Sequence, residues 1–303
     1  MKAKTLIIFI LLLSTHQIKC QEFNFSSEYL INSTIRIECW RDTIINGVRN
    51  RYSSTGTGFF FVFNFDKFLV PVIVTNAHVI KNMNWGILNF TEKVNNKPKY
   101  GNILRDTISD FNDKWLLHPS IDLAILPVGP IDQDLFSRTK KHASFFCFDE
   151  RLLPNDTILK TITAMEEVYM IGYPKGIWDA TNNIPIVRKG TTATPFFLDY
   201  QGKKEFLLDI SIFPGSSGSP IVLFDSGSFA LRNGEMGVQN RVSLLGITVQ
   251  MIPYNAIGEL KQKNDTIIQT STSLPMNLAI IIKSSELLAF KAIIRKIINN
   301  TDK

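Results

Sequence analysis

From Ser33 to Val249 the chain is a succession of short apolar runs, each closed off by Asn, Gly, Asp or Pro: TIRIECW, TGFFFVFNF, FLVPVIVTNAHVI, IDLAILPV, EEVYMIGYP, FLLDISIF, SPIVLF and SLLGITVQM. Beta-branched and aromatic residues dominate them. Runs of about four to eight such residues between turn signals, with no helical period in between, predict strands and an all-β barrel or sandwich fold. No strict repeat is present. The segment FDERLLPNDTILK, residues 148–160, has the polar and proline content of a connector, and divides the β region into residues 21–150 and 151–283.

The end of the chain changes period. In SSELLAFKAIIRKIINN, Leu287, Phe290, Ile294 and Ile297 recur at helical spacing, Ser284 or Ser285 can cap, and Lys291, Arg295 and Lys296 lie off the apolar stripe. Residues 284–303 are expected to form one amphipathic helix and a tail, packed back on the β domains rather than on a membrane.

The beginning differs again. Lys2 and Lys4 precede an apolar run from Leu6 to Leu13 that is too short to span a bilayer, so residues 1–20 read as a secretory signal peptide. The mature chain is then expected to be secreted, or periplasmic and extracytoplasmic, with no stable membrane insertion. Cys20 as a lipid-modified cysteine is the weaker alternative, because Gln17, Ile18 and Lys19 do not suit a lipoprotein signal. Removing this segment takes three lysines and no acid, so the whole-chain net charge of +6 falls by half. Such a charge gives no argument for a nucleic-acid partner. Cys39 and Cys147 remain, an even count in an oxidising compartment; they either pair or stay as two buried thiols. A bond between them would stabilise by roughly 4 to 5 kcal/mol in the chain-entropy view. Six Asn-x-Ser/Thr sites, at Asn24, Asn32, Asn89, Asn155, Asn264 and Asn299, are as readily accidental in so Asn-rich a chain.

Three segments place a polar, potentially reactive residue at the edge of an apolar strand: VIVTNAHVI with His78, HPSIDLAILPV with Asp122, and FPGSSGSPIV with Ser217. A hydroxyl is a poor nucleophile until a base takes its proton, and an imidazole base needs an acceptor on its other nitrogen. His, Asp and Ser are those three types. Of the four histidines, His16 leaves with the signal, His142 lies in a Lys-rich loop and His118 sits beside a proline, whereas His78 is set at an apolar strand end. Neither His-x-x-x-His nor a closely spaced cysteine pair is present, so no metal and no cofactor is expected.

TNAHV, DLAIL and GSSGSP, in that order, resemble the three catalytic blocks of the chymotrypsin-like serine proteases, especially the bacterial trypsin-like peptidases and the Deg/HtrA protease domain. VYMIGYPKG looks like that family's Gly-Tyr-Pro strand and turn, LLDISIFPGSSGSPIV like the Deg-type approach to the nucleophile, with Asp209 at the matching place, and SLLGITVQ like one wall of the primary pocket. The resemblance covers about residues 50 to 250. It implies two six-stranded antiparallel β-barrels with the C-terminal amphipathic helix outside them. His78 and Asp122 would come from the first barrel and Ser217 from the second, with Gly215 and Ser217 giving the oxyanion-hole amides. Ser211, Ile212, Val249 and Gln250 would form the substrate-binding positions. The implied activity is that of a serine endopeptidase acting on peptides or proteins through an acyl-enzyme. The alternative is a catalytically inactive protein of the same fold that binds peptides or a partner.

Some positions depart from the family pattern. Ser216 stands where the animal digestive enzymes carry an activation-linked acid, so zymogen activation by that route is not expected. Gly-Ser-Pro after the nucleophile is a variation seen in glutamyl endopeptidases, but GITVQM lacks the histidine they use for a glutamate side chain. Ser211, neutral at the pocket floor, weighs against a strict Arg or Lys preference, because an unpaired buried cation is costly. Small to medium apolar side chains are the expectation. About fifty residues follow the last predicted barrel strand, too few for a PDZ domain.

Overall fold

The computed structural model describes residues 26–65, 68–261 and 267–299. The signal segment 1–20 with Cys20, and the sites at Asn24 and Asn264, lie outside the described residues. No helix among the described residues is long and apolar enough to cross a membrane.

The first half is a nine-stranded sheet built from β1 (Thr34–Ile45), β2 (Val48–Phe65), β3 (Phe68–Thr75), β4 (Trp85–Val94), β5 (Lys97–Ser109), β6 (Leu116–Leu117), β7 (Ala124–Pro127), β8 (His142–Ser144) and β9 (Phe148–Asp149). Its main path runs β5-β4-β1-β2-β3-β7-β6, with β8 on β4 and β9 parallel to β2. The expected closed barrel is not what forms here. The edge strands β5 and β6 are unpaired with each other, and a turn at Phe111–Lys114 stands between them in the chain, with Phe111 and Trp115 packed edge-to-face inside. A helix at Gly129–Thr139, absent from the sequence reading, adds Ile131 and Leu135 to the same core.

The second half is closed. Strands β10 (Glu167–Gly172), β11 (Ile186–Thr192), β12 (Glu205–Asp209), β13 (Pro220–Asp225), β16 (Arg241–Lys261) and β17 (Ile267–Lys283) form a six-stranded antiparallel barrel in the order β10-β11-β12-β17-β16-β13, with a separate hairpin of β14 (Ser228–Ala230) and β15 (Met236–Val238). The connector carries short helical turns at Glu150–Leu152 and Asp156–Thr161.

The run FFFVF in β2 is apolar at every position because the strand is covered on both faces. Phe60 and Val62 enter the core of the first sheet, while Phe59, Phe61 and Phe63 enter a second cluster. That cluster joins the two halves, with Val74 and Ile125 from the first and Ile171, Val222 and Ile247 from the second. Leu287, Phe290 and Ile294 seal it. Each buried phenylalanine is worth about 1.5 to 3 kcal/mol of transfer free energy, so this seam is held mainly by apolar burial. The C-terminal element starts as a tighter turn, Ser284–Leu288, before the helix Ala289–Asn299; Ser284 does not cap it but donates to the Leu244 carbonyl at 2.5 Å.

Cys39 and Cys147 are not a pair. Cys39 is a free thiol, buried in the first-sheet core with its sulfur 3.1 Å from the Val79 carbonyl. Burial pushes the Cys39 thiol up to about 12. It should therefore resist iodoacetamide at pH 8 in the folded protein and react once denaturant is added; mass spectrometry finding it alkylated without unfolding would contradict this.

Two of the Asn-x-Ser/Thr sites have structural duties instead. Asn89 is buried with its amide on Glu38, and Asn155 accepts from the Ile158 N–H as the cap of the helix Asp156–Thr161.

Candidate active site

Strand register brings His78 and Asp122 together. In the antiparallel pair β3–β7, Thr75 lies opposite Ala124, so the chain leaving β3 runs beside the chain entering β7. Asn76 turns the exit and donates its side-chain amide to the Asp122 carbonyl at 2.9 Å, and a short helix, Ala77–Ile80, presents His78. Asp122 then grips that histidine twice. One carboxylate oxygen accepts the His78 backbone N–H at 2.8 Å, and the other lies 2.5 Å from the ring Nδ1. With the carboxylate ionised, Nδ1 carries the proton and Nε2 is left as an acceptor.

Burial alone would raise the Asp122 carboxyl, but its bonds to the His78 ring and to the His78 and Ala77 backbone N–H groups outweigh this and hold it below the usual carboxylate range. The His78 side chain is 48% exposed, so the free ring edge is accessible to a reactant. The other histidines among the described residues are engaged elsewhere. His118 Nδ1 accepts from the Ser120 and Ile121 N–H groups, ordering the loop that leads to Asp122, and His142 pairs with Asp132 while stacking on Phe136.

Ser217 lies in the loop between β12 and β13. The two backbone glycines that bracket it, Gly215 and Gly218, both have positive φ, at 95° and 85°. At Gly218 a Cβ would come within 2.0 Å of the Thr57 carbonyl oxygen, so only glycine allows the loop to lie this close to β2. The loop's carbonyls are tied down on one side. Pro214 O accepts from the Lys175 N–H, Gly215 O from the Thr57 hydroxyl at 2.9 Å, and Ser216 O from the Ser219 N–H at 3.0 Å. A trans peptide points its N–H opposite its C=O, so anchoring Pro214 O and Ser216 O turns the Gly215 and Ser217 N–H groups the other way. Among the described residues those two N–H groups meet no acceptor, whereas the Ser216, Gly218 and Ser219 N–H groups do. Two adjacent free donors of this kind can bind an oxyanion.

The Ser217 hydroxyl donates to the Val249 carbonyl at 3.0 Å and is not bonded to His78 in this state. Its backbone carbonyl, though, accepts the Thr57 N–H at 2.9 Å, and Thr57 O accepts the hydroxyl of Thr75, three residues before His78. The two halves of the site therefore share one threonine. Thr57 Oγ1 also accepts the Tyr173 N–H at 3.0 Å, linking the Gly-Tyr-Pro turn to the same point.

Sequence reasoning missed this residue; its only mark is a threonine between two glycines, TGTGFF, where the strand should carry apolar side chains. Thr57→Val keeps the shape and removes both hydroxyl bonds. It should lower activity about 10- to 100-fold while costing about 1 to 3 kcal/mol in stability, and unchanged kcat in that variant would show that the loop holds itself.

The remaining positions scatter around the loop. Ser211 is half-buried, its hydroxyl donating to Asn277 Oδ1 at 3.1 Å. Ile212 turns into the barrel core, Val249 is half-buried, and Gln250 is exposed just after a register shift in β16. Asp209 ends β12 exposed, and Ser216 is buried, its hydroxyl accepting the Phe213 N–H.

A sequence model described as a trypsin-like peptidase domain matches residues 56–229, a stretch that contains Thr57, His78, Asp122 and Ser217. No curated protein matches the chain.

Proposed function

The chain belongs to the trypsin-like peptidase domain family, and from that membership we propose that it is an exported serine endopeptidase using Ser217, His78 and Asp122. The double grip of Asp122 on the backbone and ring of His78 carries this reading, because a carboxylate so placed fixes the one tautomer in which Nε2 can take a proton. Ser217 Oγ rotates off Val249 O and attacks the peptide carbonyl carbon while His78 Nε2 takes its proton. The tetrahedral oxyanion settles on the Gly215 and Ser217 N–H groups. Its collapse breaks the C–N bond, with His78 returning the proton to the leaving amine. Water, deprotonated by the same imidazole, then hydrolyses the ester and frees Ser217. Every group in these steps belongs to the chain or the substrate, so no cofactor is required. Export rests on the charged and apolar pattern of residues 1–20.

A mixed peptide library incubated with the purified protein tests the activity. Internal cleavage products are expected, and they should be lacking with Ser217→Ala. Peptides bound but left intact by the wild type would favour the inactive binding protein instead.

A further inference from the structure

Arg188 lies on β11 directly opposite Met170 of β10, and opposed residues of an antiparallel pair project from the same face. Met170 is buried in the barrel core, so Arg188 starts out inward. Its guanidinium reaches residues 211 to 213. There Nη1 donates to the Ser211 carbonyl at 3.1 Å, and the group lies 5.2 Å from the centre of the Phe213 ring. Lys175 Nζ, from the Gly-Tyr-Pro turn, lies 5.4 Å from the same ring. Two cations therefore gather on the segment that leads straight into Ser217.

Neither has an acid partner. Several other buried or half-buried cations are neutralised, Arg241 by Glu166 and Asp225, Lys283 by Asp199 and Lys291 by Glu150, while Arg41, far from the Ser217 loop in sequence, is likewise without one among the described residues. Among the described residues no carboxylate pairs with Arg188 or Lys175, and Arg188 Nε is buried with no hydrogen-bond partner at all. A guanidinium has five N–H donors in a planar fork, and the one hydrogen bond Arg188 makes among the described residues, to Ser211 O, uses one of them. A part-buried, part-satisfied fork of this kind is matched best by a planar carboxylate, which can accept two parallel bonds.

We propose that the primary pocket takes an acidic side chain, Asp or Glu on the amino side of the scissile bond, with Arg188 as its charge partner and Lys175 adding attraction from the rim. This rests on the endopeptidase reading above and replaces the apolar preference expected from Ser211. The residue six before Ser217 is neutral, but the charge beside it comes from another strand. It occupies the role that the missing histidine of GITVQM would fill, and it excludes Lys and Arg side chains by like-charge repulsion.

Matched fluorogenic peptides carrying Glu, Gln, Leu or Lys before the scissile bond test this on the full chain, alongside fluorophosphonate labelling of the wild type. Wild type should cleave the Glu peptide about 100-fold faster in kcat/KM than its Gln isostere, since a site built to bind a charged group rejects the analogue lacking it. Arg188→Gln should bring that ratio near unity. Arg188→Glu should move the Lys peptide ahead of the Glu peptide, a gain that a misfolded protein cannot produce. Wild type that labels at Ser217 yet handles Glu, Gln and Leu alike overturns the acidic pocket and leaves the endopeptidase standing. Folded wild type that neither labels nor cleaves overturns both.

Discussion

Ser217→Ala should lower peptide hydrolysis by a factor of about 10⁴ or more, to the level that the free amides and substrate binding sustain by themselves. The fold should hardly notice. In the resting state the hydroxyl has one partner, the Val249 carbonyl, at a part-buried position, so its loss costs about 1 kcal/mol or less. Measured turnover of any cleaved library peptide, together with the thermal midpoint, separates the two effects. Retained turnover in Ser217→Ala would mean that another nucleophile does the chemistry.

Asp122→Asn is the second variant of large expected effect, for a reason that the double grip makes specific. From His78 itself Asp122 accepts two N–H groups, one from the backbone and one from the ring. An amide has only one acceptor oxygen. The backbone N–H cannot give up its proton, so Asn would keep the oxygen there and turn its NH₂ toward Nδ1. Nδ1 must then accept, the ring proton moves to Nε2, and the imidazole can no longer take the Ser217 proton. The expected loss in kcat is about 10⁴-fold with the folded structure intact. It should come with a shift of the ring tautomer, visible in the nitrogen chemical shifts of His78. A loss of less than tenfold would show that Asp122 serves only to pack the loop.

Much of the fold could be read from the chain because its apolar runs carry their own burial. TGFFFVFNF was legible as a strand, though not as one covered on both faces, and the stripe of Leu287, Phe290 and Ile294 announced a helix lying on a core. His78 and Asp122 were legible as strand-end residues, and they lie in hydrogen-bond contact.

What the sequence did not reveal depends on partners far away in the chain. Whether the first sheet closes is decided by how β5 and β6 meet, and no local pattern records that. Cys39 and Cys147 are an available pair by count, but Cys39 spends its sulfur on the core beside Val79. The helix Gly129–Thr139 offers only Ile131 and Leu135 at helical spacing among polar neighbours, too thin a stripe to register. Thr57 and Arg188 are hidden for a further reason. Each is a polar residue on a strand, where alternation suggests a solvent-facing position, and each turns inward to hold a loop that arrives more than twenty residues later.

The central claim is that Ser217 is a nucleophile activated by His78, and covalent capture tests it most directly. A biotinylated fluorophosphonate, which reacts with activated serines and spares ordinary hydroxyls, should label the native protein at Ser217, as located by mass spectrometry of the digested adduct. The heat-denatured protein and the His78→Ala variant should remain unlabelled. Native, folded protein that stays unlabelled while a known serine hydrolase in the same tube is captured would contradict the account.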